Sequence, residues 1–507
     1  MLKKLVQHYK TSAAILGSLS VLALPPYYIL PILVLSFTGL LFLLNRSKNF
    51  KQSFAIGYWF GFGYFAFGFS WIGNALLIDA ATFGWLYPIA LISSGAFFGL
   101  FTGFPCSFTV YFKDIKSKFA VFPALWVLSE WLRSFILTGF PWNLLGSCLA
   151  FHPVGIQLAS IIGTYGLSWL VLIISCAPIL ALEKHDKKNI LITLAIMLTG
   201  ISTIGIYGIW RISQYDTTKK SDIEIRIVQP SIPQTMKWNK ETLEKNLQDY
   251  IKLSQTKGYE NKDFIIWGET ASPFPLDIDT FHRQKVTEAI PPQGYLITGT
   301  LRYMIDKYGE AYPKNSILII DKRGDIIGEY DKSHLVPFGE YIPMREYLPS
   351  FVRPIANSIA NFLSGSGPST IKIKNYPSIG SVICYEIIFP HEIVNQNQRP
   401  EWIINATNDG WYGNSAGPYQ HLVATQLRAV EEGISIVRAA NSGISAIITP
   451  LGKIQNKIGL NQRGILDDRL PLQLNLYTSY GKYGNKIPLI LVIFNIILVI
   501  FLSNYKR

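Results

Sequence analysis

Two patterns of hydrophobic and polar positions divide the chain. Residues 1 to 210 run as long apolar blocks separated by short polar joints, whereas residues 211 to about 483 show brief β-branched and aromatic runs alternating with helix-like stretches. A stretch of about 20 apolar residues crosses the bilayer core, so the blocks predict spans at 11–24, 27–44, 53–74, 86–111, 119–137, 157–181 and 190–210, with an eighth at 487–503. Pro25-Pro26 separates the first two, because a proline ring removes an intrahelical bond and clashes with the preceding turn.

Charge fixes the expected direction of each span. Loop lysines and arginines favour the cytoplasmic side, and they cluster in every second joint: Lys3, Lys4 and Lys10; Arg46, Lys48 and Lys51; Lys113, Lys116 and Lys118; Lys184, Lys187 and Lys188. This alternation predicts a membrane domain of seven transmembrane helices over 1–210, an extracytoplasmic domain over 211–483, and an eighth transmembrane helix with a cytoplasmic C-terminus over 484–507. The first run reads as a retained span, since no small-residue cleavage pattern follows it. Within the fifth span, Glu130 and Arg133 lie three apart on one helix face, which predicts an internal ion pair. The basic loops account for twelve of the positive residues behind the net charge of +13, so the charge does not point to nucleic acid.

The outer half reads as an α/β or α+β domain. Its runs include "IEIRIVQPS" from 224, "DFIIWGET" from 263, "GYLITGTLRY" from 294, "NSILIID" from 315, "SIGSVICYE" from 378, "EWIINATNDG" from 401 and "ISAIITPLGKI" from 444, with helix-like stretches at 239–257 and 417–434. Several runs are apolar on both faces, the pattern of a sheet covered on both sides.

Three runs finish on residues with chemistry: Glu269, Lys332 and Cys384. Strand ends facing loops are where α/β sheets build their sites. A thiol attacks carbonyl carbon as the thiolate, which requires a base or a nearby positive charge. Glu269 supplies a base, and Lys332 supplies a donor for the oxyanion of a tetrahedral intermediate. Taken singly, each has a plainer use: a solvated carboxylate, a surface lysine, a small buried hydrophobe. Cys384 is the only cysteine of the outer domain, while Cys106, Cys148 and Cys176 lie in or beside spans. His334, His391 and His421 leave a Cys-His arrangement open.

The segments "WGETASPFP", "YDKSHLVPFGEYIP" and "VICYEIIFP" together resemble the three motifs of the nitrilase superfamily. Joined to seven spans before and one after, with "GFPWN" at 139–143, they resemble the apolipoprotein N-acyltransferase family over nearly the whole chain. The resemblance implies an αββα sandwich in the outer domain, with Glu269 as base, Lys332 as oxyanion donor and Cys384 as nucleophile. It also implies Glu340, Tyr385 and Glu386 as supporting residues and Trp238 on a substrate-facing loop. The implied activity is transfer of an acyl chain from a membrane phospholipid to the N-terminal amine of a diacylglyceryl-modified apolipoprotein, through a thioester on Cys384. The resemblance implies no metal or organic cofactor and an address in the bacterial inner membrane, with the catalytic domain on the periplasmic side and both termini in the cytoplasm. Apolar residues of 341–363, among them Tyr341, Ile342, Leu348, Phe351, Ile355 and Phe362, either form an arm that touches lipid or pack under a loop, while Arg345 and Arg353 carry no assignment. A membrane-anchored hydrolase with the same triad and a ligand-binding transporter or receptor are the competing readings.

Overall fold

The period-two runs of the outer half build strands, and their two apolar faces find cover on both sides. The computed structural model describes residues 6–184, 186–216, 220–347, 361–474 and 477–505. Strands β1 (Lys220–Gln229), β2 (Phe264–Trp267), β3 (Tyr295–Ile305), β4 (Ala311–Asp321), β5 (Ile326–Asp331), β6 (Thr370–Ile371), β7 (Ile379–Ile383), β8 (Trp402–Thr407), β9 (Ser435–Ala440), β10 (Ser445–Ile448), β11 (Ile454–Ile458) and β12 (Gly464–Pro471) form two six-stranded sheets, ordered β12-β1-β2-β3-β4-β5 and β11-β10-β9-β8-β7-β6. Each is mixed, with a parallel centre and antiparallel flanks: β1, β2 and β3 run parallel in the first, β7, β8 and β9 in the second.

One face of each sheet meets the other sheet. Ile225, Ile227, Phe264, Ile266, Ile317 and Ile319 of the first pack with Ile379, Ile383, Trp402, Ile404, Val437 and Ile447 of the second. The alternate residues Val228, Ile265, Trp267, Leu296, Leu318 and Ile320 face outward, onto Leu247, Tyr250 and Ile251 of the helix Leu243–Ser254. That helix buries positions 247, 250, 251 and 254 and exposes Glu244, Lys245 and Lys252, the stripe expected of a helix laid on a sheet. Helix Gly417–Glu432 packs against β9 and β10 of the second sheet. The layering is helix, sheet, sheet, helix, a nitrilase-like αββα sandwich.

The chain separates into two units, Met1–Tyr215 with Tyr477–Arg507, and Asp216–Leu476. The first is helical, with Tyr9–Ser20, Pro31–Asn45, Phe50–Gly68, Ala80–Tyr111, Ile115–Leu132, Ala159–Glu183, Lys187–Ser213 and Lys486–Tyr505 falling on the eight apolar runs. By length and composition, Ala80–Tyr111, Ala159–Glu183 and Lys187–Ser213 are long and apolar enough to cross a membrane, and Phe50–Gly68 with Ser70–Leu77, bent by 42°, makes a fourth if counted as one span. Tyr9–Ser20, Pro31–Asn45 and Ile115–Leu132 are shorter than their apolar runs. Helix Tyr9–Ser20 has 12 residues, about 18 Å at the usual rise. Helices meet through small residues: Gly17 lies against the Phe60 carbonyl, and the Thr102 hydroxyl donates to the Gly57 carbonyl at 2.9 Å.

Glu130 and Arg133 are buried and hold a common loop. Glu130 accepts from the Leu145 N–H at 2.9 Å and the Trp126 indole at 3.2 Å, while Arg133 donates to the carbonyls of Phe140 and Trp142. Each side chain thereby anchors residues 140–145, which contain the "PWN" run.

Candidate active site

Each of the three strand-end residues leaves its strand where the backbone turns. Glu269 follows β2 by two residues, Lys332 follows β5 directly, and Cys384 follows β7 directly. All three side chains are buried, as is Glu340, so their charges act on one another through little water. Lys332 Nζ lies 2.8 Å from Glu340 Oε1 and 3.7 Å from Glu269 Oε1. The amide of Asn315 on β4 donates to Glu269 Oε1 at 2.7 Å and to Glu340 Oε1 at 3.3 Å, fixing both carboxylates on the lysine. Glu340 is itself set by the Val336 N–H at 2.8 Å, within the "PFGE" turn.

Cys384 sits in the left-handed region at φ 49°, a conformation that costs about 1 kcal/mol or more for a residue with a Cβ. Bonds on either side hold it. Glu386 accepts from the Ile383 N–H at 2.7 Å with one oxygen. Its other oxygen accepts from the Ser333 N–H and hydroxyl, the His334 N–H and the Tyr330 hydroxyl at 2.7–3.1 Å. One carboxylate thereby ties the turn after Lys332 to the turn that carries Cys384. On the far side, His421 Nε2 donates to the Cys384 carbonyl at 3.0 Å, and its Nδ1 lies 2.9 Å from Asp409, which Arg438 holds at 2.7 Å.

Burial pushes the Cys384 thiol up to about 12, with Glu269 adding to the rise and Lys332 and Thr407 opposing it. The resting group is therefore the thiol, and it reacts only when a base takes its proton. Lys332 stays protonated, because Glu340 and Glu269 outweigh its desolvation and raise its pKa. A buried thiol beside a carboxylate and a permanent cation suits nucleophilic acyl chemistry.

Comparison with known proteins fits this arrangement. Residues 16–177 match the model of the apolipoprotein N-acyltransferase N-terminal domain, and residues 224–475 match that of the carbon-nitrogen hydrolases. An apolipoprotein N-acyltransferase of Rickettsia prowazekii is 37% identical over 500 residues, covering 98% of this chain and 99% of that one. One from Rickettsia bellii is 38% identical, covering 98% of each chain, and one from Rhodopseudomonas palustris is 36% identical, covering 96% of this chain and 94% of that one. The chain belongs to the apolipoprotein N-acyltransferase family. It is an acyltransferase enzyme with a nitrilase-like domain. Among solved structures, an amidase from Nesterenkonia sp. is 16% identical with a TM-score of 0.38, covering 50% of this chain and 92% of that one.

For a member of this family, the remaining residues fall in distinct places. Tyr385 is buried with its ring against His334 and Phe389, so it packs the turn. Trp238 is 40% exposed at the end of the short helix Gln234–Lys237. Of the residues named for a lipid-touching arm, Leu348, Phe351 and Ile355, with Arg353, lie outside the described residues; Ile342 and Phe362 are buried and take the packing alternative, with the Phe362 N–H donating to the Glu340 carbonyl. Among the described apolar residues there, Met344, Tyr347 and Leu363 are exposed, as is Phe338 just before them.

Of the histidines left open, His421 touches the carbonyl of Cys384, His334 stacks on Phe389, and His391 lies 3.4 Å from Glu432. Sequence reasoning passed over Lys237, Asn315, Asp409, Tyr412 and Arg438. Lys237 Nζ donates to the Glu269 carbonyl at 2.9 Å, and the Tyr412 hydroxyl lies 3.9 Å from Cys384 Sγ. Among the described residues, no group of three or more His, Cys, Asp or Glu could hold a metal.

Proposed function

We propose that this acyltransferase works by a two-step transfer through Cys384, with a membrane phospholipid as donor and a diacylglyceryl-modified apolipoprotein as acceptor. The observation that carries the reading is the buried Glu269–Lys332–Glu340 cluster set against a buried thiol on a strained turn. Glu269 takes the Cys384 proton as sulfur bonds to the ester carbonyl carbon, and Lys332 donates to the oxyanion. Collapse breaks the acyl C–O bond, the lysophospholipid oxygen leaves with the proton from Glu269, and a thioester remains. The α-amine of the acceptor's N-terminal lipid-modified cysteine then attacks the thioester. Glu269 accepts the amine proton, the C–S bond breaks, and the proton returns to sulfur.

A membrane-bound enzyme suits these substrates. Each acyl CH₂ costs about 0.8 kcal/mol to expose to water, so chains that never leave the bilayer avoid a penalty of many kcal/mol. We place both termini in the cytoplasm of a bacterial inner-membrane protein and residues 211–483 on the periplasmic side, with seven spans before them and one after. Supporting this, Arg46 pairs with Glu183 at 2.7 Å and Lys118 donates to the Leu44 carbonyl at 3.3 Å, gathering three of the basic joints at one end of the helical unit.

Phospholipid given without acceptor separates this reading from hydrolysis. The expected result is one equivalent of lysophospholipid per enzyme, with release of free fatty acid slower by about a hundredfold or more than transfer when acceptor is added. Steady release of fatty acid at the transfer rate would make the enzyme a hydrolase.

A further inference from the structure

Lys237 takes no part in the chemistry above, yet its side chain is buried and its Nζ bonds to the main-chain carbonyl of Glu269 at 2.9 Å. A buried ammonium needs a counter-charge, and the charges that reach it are those of Glu269 and Cys384. The segment that carries it is pinned. Gln234 accepts from the Asn408 amide at 2.9 Å, Asn246 donates to the Met236 carbonyl at 3.0 Å, and Asn441 accepts from the Ile232 N–H at 3.0 Å. Lys237 is therefore held against the site by three separate elements.

The charges of the site call for a second cation. Glu269 and Glu340 are two acids facing the single ammonium of Lys332. Passing the Cys384 proton to Glu269 moves the negative charge onto sulfur without reducing it, and in a site this dry an uncompensated charge opposes the transfer. We infer that Lys237 is the second cation of the acyl-transfer site, a positioning residue that holds Glu269 by its carbonyl and balances the charge of ionised Cys384. The inference rests on the acyl-transfer reading proposed above.

Burial lowers Lys237 to about 8, so the compensating charge is present below that pH and lost above it. The ionisable groups around it are Glu269 and Cys384, with Lys332 and Glu340 beyond Glu269 and the Asp409, His421 and Arg438 set behind Cys384.

The test follows acyl-enzyme formation by intact mass in the full-length enzyme, using phosphatidylethanolamine and phosphatidylglycerol in mixed micelles, across a pH range centred on 8. The native rate should fall above about pH 8. Lys237→Met should slow it about thirtyfold at neutral pH and remove the alkaline limb, whereas Lys237→Arg, always charged, should stay within about threefold and move the limb upward by about a unit or more. A Met variant of unchanged thermal midpoint that acylates within about twofold of native at every pH would overturn the inference, as would an Arg variant whose limb does not move. The Arg variant decides the matter if the Met variant does not fold. Absence of any adduct in the native enzyme would instead strike the acyl-transfer reading itself.

Discussion

Lys332→Met is expected to lower the acyl-transfer rate by about ten-thousandfold and to destabilise the outer unit by about 3–5 kcal/mol, because it removes the cation that two buried carboxylates share. With the ammonium gone, the only group Glu269 and Glu340 still share is the Asn315 amide, and two like charges face each other in a dry site without a cation between them. On the proposed mechanism, the base is then compromised together with the oxyanion donor. Both losses should appear at once, as a collapse of kcat and a lower midpoint in thermal unfolding. Lys332→Arg should not restore the rate, since Nζ stands 2.8 Å from Glu340 and 3.7 Å from Glu269, and a planar guanidinium does not reproduce that single-atom placement. A Met variant retaining a tenth of native activity would mean that Lys332 neither neutralises the acids nor serves the oxyanion.

The second large effect is expected at Glu386, which accepts from Ile383, Ser333, His334 and Tyr330. Glu386→Gln replaces one accepting oxygen by an NH₂ group, which then faces donors it cannot pair with. Charge-assisted bonds are worth roughly 1.5–3 kcal/mol each, and an unmet buried donor costs about as much. The Cys384 turn, already at φ 49°, should relax. We expect kcat to fall about a hundredfold or more with KM little changed, and alkylation of Cys384 by a small reagent to slow in proportion. A structural role alone would lower the thermal midpoint and leave the kcat and alkylation rate of the folded fraction unaltered.

The outer sheets and their three strand-end residues could be read from the sequence because each run combines β-branched residues on both faces with a chemically capable residue at its end. Other parts were hidden for definite reasons. Strand β9, "SIVRAA", carries Arg438 in its middle and follows a helix closely, so its apolar run is broken, although the arginine is satisfied by Asp409 and Asn405. The edge strand β12, "GILDDRLP", is polar and has little hydrophobic signature. Lys237 lies in a polar segment, "QTMKW", where a lysine reads as solvated, and only the fold shows the Glu269 carbonyl above it. Asn315 lies inside β4 at the start of its apolar run, and His421 lies in the first turns of the helix Gly417–Glu432; neither position announces that it will meet Glu269 or Cys384. In the helical unit the apolar blocks located the helices, but not their lengths: Tyr9–Ser20 gives way to the 3₁₀ segment Val21–Ala23 and falls short of its block, whereas Lys187–Ser213 outruns its own.

The central claim is that Cys384 carries the acyl group, and intact-protein mass spectrometry tests it most directly. Native enzyme and Cys384→Ala would each be incubated with phospholipid micelles in the absence of acceptor, then treated with hydroxylamine. The account predicts a mass gain of one fatty acyl group in the native chain, lost on hydroxylamine treatment and never formed in the variant. A native chain that binds phospholipid but gains no such mass, or a variant that gains it equally, would contradict the account and return Cys384 to an ordinary place in the core.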